Sequence, residues 1–205
     1  RLFAAQIQGQ LNMSEASSSR LIPFLGSNIS YAGQIKLTDE NKVSIAKLQL
    51  DTVPGKITGA VSLDLASQEL DSALRIVVPK LAFLSPVLTR TIDGSLEMDS
   101  VITGTLSLPK FNVKANAKNL VYEQLNLQTV TANIHTEGLP PSIQGHSELR
   151  LKYAGQALSG RSDFSLEGER LGLSALSIKS GENELTGTLT LDLKSLLAEG
   201  ELQGN

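Results

Sequence analysis

The 205-residue sequence predicts an all-β fold: long amphipathic strands, antiparallel-rich, in one sheet folded over into a U-shaped groove with an apolar interior. Three observations predict it. The first is the stretch Ile92 to Leu108. Its even positions are Ile92, Gly94, Leu96, Met98, Ser100, Ile102, Gly104, Leu106 and Leu108, and its odd positions are polar except for Val101. Period-two alternation places one set of side chains on each face of a β-structure. The second is a short pattern inside that stretch, Ile-x-Gly-x-Leu-x-Met/Leu, which returns along the whole chain. The third is the apolar set itself, dominated by Leu, Ile and Val, with 4% aromatics and no Trp. A compact sandwich core leans on large rings that bury about 150–250 Å² each, so this composition suits a thin, extended apolar surface.

Taken in order, the chain reads as a dozen or so strands. The first copy of the pattern is Ile7-Gln-Gly9-Gln-Leu11-Asn-Met13. The Ser-rich stretch Ser14 to Asn28 then breaks it, as a loop or a short helix stopped at Pro23. Tyr31-Ala-Gly33-Gln-Ile35-Lys-Leu37 resumes it. Val43, Ile45, Leu48 and Leu50 follow, with a phase slip at Ala46–Lys47 that predicts a bulge or register change. Ile57-Thr-Gly59-Ala-Val61-Ser-Leu63 comes next, with Leu65 continuing the face and Ser67-Gln68 as a hairpin connection before Leu70, Ser72, Leu74, Ile76 and Val78. Pro79 to Thr91 is apolar, but Pro79 bounds it and Pro86 cuts it. It is expected to be a crossover or a short helix capping one edge.

The central stretch of 17 residues exceeds the usual strand of about 5–6. Either two strands meet near Ser100, or the sheet is long-stranded. Beyond it lie Phe111, Val113, Ala115 and Ala117, then Leu125 and Leu127, then Val130, Ala132 and Ile134, and a turn at Leu139-Pro140-Pro141. Degenerate copies follow at Ile143-Gln-Gly145-His-Ser147-Glu-Leu149 and Leu158-Ser-Gly160-Arg-Ser162-Asp-Phe164. Leu171, Leu173, Leu176 and Ile178 form a strand. Gly181–Asn183 is a connection, and Leu185-Thr-Gly187-Thr-Leu189-Thr-Leu191, with Leu193, is the last full copy. Neighbouring pattern glycines lie 10 residues apart at Gly94 and Gly104 and 41 apart at Gly104 and Gly145, so fixed-period solenoids do not fit.

Each pattern glycine shares parity with the apolar residues. A glycine there opens a gap in the face and lets the strand bend. Gly9, Gly33, Gly59, Gly94, Gly104, Gly145, Gly160 and Gly187 are therefore expected to crease the sheet wherever neighbouring copies align. The groove would be lined by Ile57, Val61, Leu63, Leu74, Ile76, Ile92, Leu96, Met98, Ile102, Leu106, Leu108, Leu185, Leu189 and Leu191. The plainer alternative is that the glycines end or bulge ordinary sandwich strands, and that the same apolar residues close on each other as a core. The opposite parity carries Thr58, Ser62, Asp64, Thr103, Thr105, Thr186, Thr188 and Thr190, a face that belongs in water rather than in a membrane barrel's apolar outer band.

The formal net charge is -3, with both signs mixed and no basic block, so no nucleic-acid partner is expected. No run approaches the roughly 18 apolar residues of a membrane span. The absence of cysteine excludes disulfides and thiolate chemistry. His135 and His146 are the only histidines and read as solvated. Glu97 and Asp99 share one strand face as an edge-protecting pair. No phosphate loop and no metal-ligand spacing accompanies them, so no enzyme, no metal and no cofactor is expected. The chain opens at Arg1 without Met and stops in Leu202-Gln-Gly204, the start of another copy, and reads as one β-groove segment, 1–205, of a longer protein.

Ile92-Asp-Gly94-Ser-Leu96, followed by Ile102-Thr-Gly104-Thr-Leu106-Ser-Leu108-Pro109, resembles the signature of the TamB family of translocation and assembly module proteins. Asn119 to Leu127, Leu158-Ser-Gly160 and Leu185-Thr-Gly187-Thr-Leu189 look similar to its continuation. More broadly the chain resembles the AsmA-like, bridge-like lipid-transfer superfamily. The resemblance implies a β-taco sheet in a parent that is anchored in the inner membrane and spans the periplasm. It also implies a role in phospholipid transport to the outer membrane and a TamA-type barrel partner. The leading expectation is thus a non-enzymatic conduit for phospholipid acyl chains. The alternative is a chaperone-like holder of unfolded outer-membrane protein strands. A third reading, an extracellular β-solenoid adhesin stalk, is disfavoured by the long alternations.

Overall fold

The computed structural model describes residues 3–12, 26–38, 41–195 and 197–204, the side chain of Val87 excepted. The expected break after Met13 lies, as far as residue 25, outside the described residues. The rest is one antiparallel sheet of thirteen strands in strict sequence order. The strands are β1 Phe3–Asn12, β2 Asn28–Leu37, β3 Lys42–Asp51, β4 Lys56–Asp64, β5 Leu70–Val78, β6 Ile92–Gly104, β7 Pro109–Tyr122, β8 Leu125–Leu139, β9 Ser142–Tyr153, β10 Gln156–Glu167, β11 Arg170–Ser180, β12 Asn183–Asp192 and β13 Ala198–Gly204. Strands β1 and β13 do not pair, so the sheet does not close into a barrel. An antiparallel meander is also not the coil of a solenoid.

Register follows the alternation. In an antiparallel pair, residues directly opposite each other share a face. Following the pairing outward from Met98, the apolar parity of every strand falls on one side: Met98 opposes Ile76 and Ala115, Ile76 opposes Ile57, Ala115 opposes Ala132, and Ala132 opposes Leu149. Register slips in four strands keep this parity intact, one of them in β8 between Leu127 and Thr129 and three in β3, β7 and β11. The last three occur where Lys47, Asn119 and Ala175 take positive φ angles of 52°, 51° and 49°, each as the extra residue of a bulge. The slip read at Ala46–Lys47 is one of them.

Of the two expected arrangements the central stretch takes the second, a long-stranded sheet, with β7 and β8 running to 14 and 15 residues beside it. It forms one strand of 13 residues, β6, and then turns. The chain leaves the ladder because Leu108 returns its N–H to the Thr105 carbonyl and hydroxyl at 3.1 and 3.2 Å, and Pro109 has no N–H to offer. Leu106 and Leu108 therefore sit in the β6–β7 turn. Leu65 and Leu193 likewise lie in turns after β4 and β12. A backbone bond ties each of these turns to the one before it on the same rim: Leu65 N–H to Asn41 O, Leu106 N–H to Gln68 O and Leu193 N–H to Glu169 O, at 3.0, 3.0 and 2.8 Å.

The Pro79–Thr91 segment is not a crossover, since β5 and β6 are antiparallel neighbours. Nor does it cap an edge, because β1 and β13 are the edges. A 3₁₀ turn, Leu81–Leu84, leads into the single-turn helix α1, Ser85–Leu88. Leu81 is buried. The Ser85 hydroxyl bonds both the C=O and the N–H of Ile92, at 3.0 and 3.1 Å, and so pins the segment to the start of β6.

Candidate functional site: an open apolar face

Twelve of the predicted lining residues share one face: Ile57, Val61, Leu63, Leu74, Ile76, Ile92, Leu96, Met98, Ile102, Leu185, Leu189 and Leu191. Every one is half-buried and none is fully covered. Leu106 and Leu108 stand apart, at the rim, 45% and 50% exposed. Phe111, Val113, Ile134, Leu151, Leu158 and Phe164 share the same face. The alternation of Phe111, Val113 and Ile134 is legible in the sequence, and Leu158 and Phe164 belong to a degenerate copy of the pattern.

The face is not a closed core. The chain exposes 13473 Å², whereas a compact globule of 21.8 kDa exposes about 9,300 Å². Among the described residues no large side chain is fully buried, and the buried apolar set is Ile29, Leu81, Ala117 and Leu127.

Burial deepens toward the middle of the strands. One transverse row crosses the whole sheet: Ile7, Gly33, the β3 bulge, Gly59, Leu74, Ser100, Val113, Ile134, Ser147, Ser162, the β11 bulge, Gly187 and Leu202. Six of its members are glycine or serine. Ser100 and Ser162 are 8% and 6% exposed, while Tyr122, Leu125 and Tyr153 near the strand ends are 44%, 40% and 42% exposed. Small side chains thus dominate this row, as in a face folded about it. The Ser147 and Ser162 hydroxyls lie 3.1 Å apart, which gives the buried Ser162 hydroxyl a partner.

The pattern glycines divide. Gly33, Gly59 and Gly187 lie in this row. Gly9 and Gly160 lie one row to one side and Gly145 one row to the other, while Gly94 and Gly104 fall toward strand ends. At Gly59 and Gly187 no other residue fits. Their φ angles are positive, and an added Cβ would meet the backbone carbonyl oxygens of Ala73 and Glu201. Each faces a bulge on the preceding strand, at Lys47 and at Ala175. Two other glycines lie under rings. Tyr31 covers Gly9, and Phe164 covers Gly145, each from the directly opposed position. Cross-strand aromatics restore the packing that a strand glycine gives up.

The opposite face is polar and ion-paired. Arg75 holds Glu97 at 2.7 Å and Asp99 at 3.4 Å, so these carboxylates pair across interior strands and guard no edge. His146 Nδ1 lies 2.7 Å from Asp163 Oδ1, and His146 stands directly opposite His135 on β8. Among the described residues no group of three metal-ligating side chains is placed to hold an ion. Two turns repeat one device. The Asp64 carboxylate accepts the N–H groups of Ser67 and Ala66, and these bonds, Ser67 first, hold its pKa below the usual aspartate range. Asp192 is held low in the same way by Ser195, through its N–H and then its hydroxyl, and more weakly by Lys194 N–H. Glu184 is lowered by the Ser177 hydroxyl first and by Lys179 second.

A family model described as TamB, N-terminal domain, matches residues 24–167. Strands β11 to β13 lie beyond that match. No curated protein and no solved structure matches the chain.

Proposed function

The chain belongs to the TamB family, which works in outer-membrane assembly and lipid transport, and on that premise we propose that this segment is a non-enzymatic conduit for phospholipid acyl chains across the periplasm. One observation carries the reading: a continuous apolar face, half-buried along β1 to β12 and closed on nothing. Each acyl methylene that leaves water on such a face gains about 0.8 kcal/mol, so a tail is held without any polar contact. Because successive strands present near-equivalent apolar rows, a tail can slide from one to the next. Exposed apolar patches beyond about 300–600 Å² call for a ligand or partner, and acyl chains suit a face dominated by Leu, Ile, Val and Ala, whose serines Ser72, Ser100 and Ser162 are buried.

We extend the proposal to the whole protein as the family implies: an inner-membrane anchor outside the described residues and a TamA-type barrel partner. No helix among the described residues is long and apolar enough to cross a membrane. The test places a photo-crosslinking amino acid at Met98 on the apolar face, and separately at Glu97 on the polar face, of the full-length protein in cells. Phospholipid adducts at Met98 and none at Glu97 are the expected result. Unfolded outer-membrane protein adducts at Met98 would replace the conduit by a strand-holding chaperone. No adduct at either position would sink both.

A further inference from the structure

The polar face is not uniform in charge pairing. Lys56, Arg75, Lys110 and Lys179 each have a carboxylate within ion-pair distance. Arg150 and Lys152, both exposed on β9, have none among the described residues. They face the same way, two residues apart on one strand, so their stems start about 7 Å from each other. Register then sets Thr131 and Ser159 on either side of Arg150, and Lys179 beyond Ser159; Thr129 pairs with Lys152 on β8. These six side chains line one concavity of about 510 Å³. It collects three cations and three hydroxyls, all donors, and no carboxylate lines it. Glu184, which pairs with Lys179, lies outside its wall.

The concavity reaches the rim of the sheet. Lys152 is the last polar-face residue before the Ala154–Gly155 turn, and Gly181 of the next turn on that rim belongs to its wall. Leu151 and Leu158, a directly opposed pair at this level of the sheet, turn their side chains to the apolar face on its other side, so the two faces meet at the rim beside the concavity. Long Lys and Arg side chains lay their stems on apolar surface and carry the charge past it. A ligand that suits this place has an anionic end for the cations and an apolar end for the face beside them.

We infer that the Arg150–Lys152–Lys179 concavity is the seat of a phospholipid's anionic headgroup, its phosphate on the cations and hydroxyls while its acyl chains cross the rim onto the apolar face. This rests on the conduit reading and adds to it a preference among lipids.

The test compares the full chain with its Arg150→Glu/Lys152→Glu and Arg150→Gln/Lys152→Gln variants. Each is titrated with phosphatidylglycerol and with phosphatidylcholine that carry the same fluorescent acyl chain. Each basic side chain near an anionic lipid contributes about fivefold in affinity, so the neutral variant should lose about 25-fold for phosphatidylglycerol and the reversed one more, with a clearly smaller loss for phosphatidylcholine, whose phosphate is offset by its own ammonium. The wild-type preference should also weaken as salt is raised. Equal binding of the two lipids by wild type, or a preference that survives in both variants, overturns the headgroup site and leaves the conduit standing. Binding of neither lipid overturns the conduit, and the headgroup site falls with it. Displacement of phosphatidylglycerol by an equal concentration of glycerol 3-phosphate would make this a free-anion site and overturn the assignment to lipid.

Discussion

Gly59→Ala should destabilise the sheet strongly, and Gly160→Ala should not. Both glycines face the apolar side, and the sequence gives no reason to treat them differently. At Gly59 the φ is +151° and a Cβ would run into the Ala73 carbonyl oxygen, with Leu74 Cα at 2.9 Å and Ala73 C at 3.0 Å, all of it backbone on the paired strand. Conformational strain of about 1–3 kcal/mol adds to overpacking of about 1–3 kcal/mol. A loss of about 3 kcal/mol is the expected sum, or a fall in Tm of about 6–12 °C for a chain of this length. At Gly160 a Cβ meets only the Ser177 carbonyl oxygen at 3.8 Å, an ordinary contact. Alanine there lowers the entropy of the unfolded chain and should be neutral or stabilising by up to about 1 kcal/mol. The assay is thermal unfolding followed by circular dichroism, with amide exchange to localise the effect to β4 and β5. Equal Tm values for the two variants would refute the claim that Gly59 is required by backbone approach, and with it the geometry assigned to the crease.

Three further outcomes are expected. The folded-state pKa values of Asp64 and Asp192 are lowered, so the stabilisation they give their turns is present above the ordinary aspartate range and is lost as pH falls through the folded-state values. Carboxyl titration by NMR should find both midpoints below those of unfolded peptides, and midpoints at or above them would contradict the turn geometry. Ser72 is 3% exposed, and its hydroxyl has no partner among the described residues, so Ser72→Ala should raise stability by about 1 kcal/mol, and a clear drop in Tm would show that the hydroxyl is satisfied. Phe164→Ala uncovers Gly145 and should cost about 1–2 kcal/mol, read as faster amide exchange in β9 and β10; unchanged exchange there would mean that the ring does not pack on the glycine.

The all-β class and the two-faced sheet were legible because period two survives in nearly every strand, as in Leu185-Thr-Gly187-Thr-Leu189-Thr-Leu191. The slip at Ala46–Lys47 showed because two polar-parity positions fall between Ile45 and Leu48. The end of β6 did not show. Leu106 and Leu108 keep the alternation, and only the Thr105 turn and the missing N–H of Pro109 take them out of the ladder. The crease was half legible. Its glycines stand out in sequence, but Ser100, Ser147 and Ser162 read as interruptions of the apolar parity and only the register sets them in line with Gly59 and Gly187. The Arg150–Lys152 concavity was invisible, since its third cation comes from β11 and the sequence does not give pairing across strands. His146 looked unremarkable for the same reason, with Asp163 17 residues away along the chain.

The strict order of the thirteen strands turns chain length into distance. Each added strand advances the meander by about 4.8 Å, so the twelve steps measure about 58 Å along the sheet. Because each strand bonds only to its sequence neighbours, inserting one more hairpin would lengthen the trough by about 10 Å and disturb no existing pair. Span is then a quantity evolution can tune by whole hairpins, much as a tape is lengthened by its graduations. The gap between two membranes could be matched by counting strands, with no part of the trough redesigned.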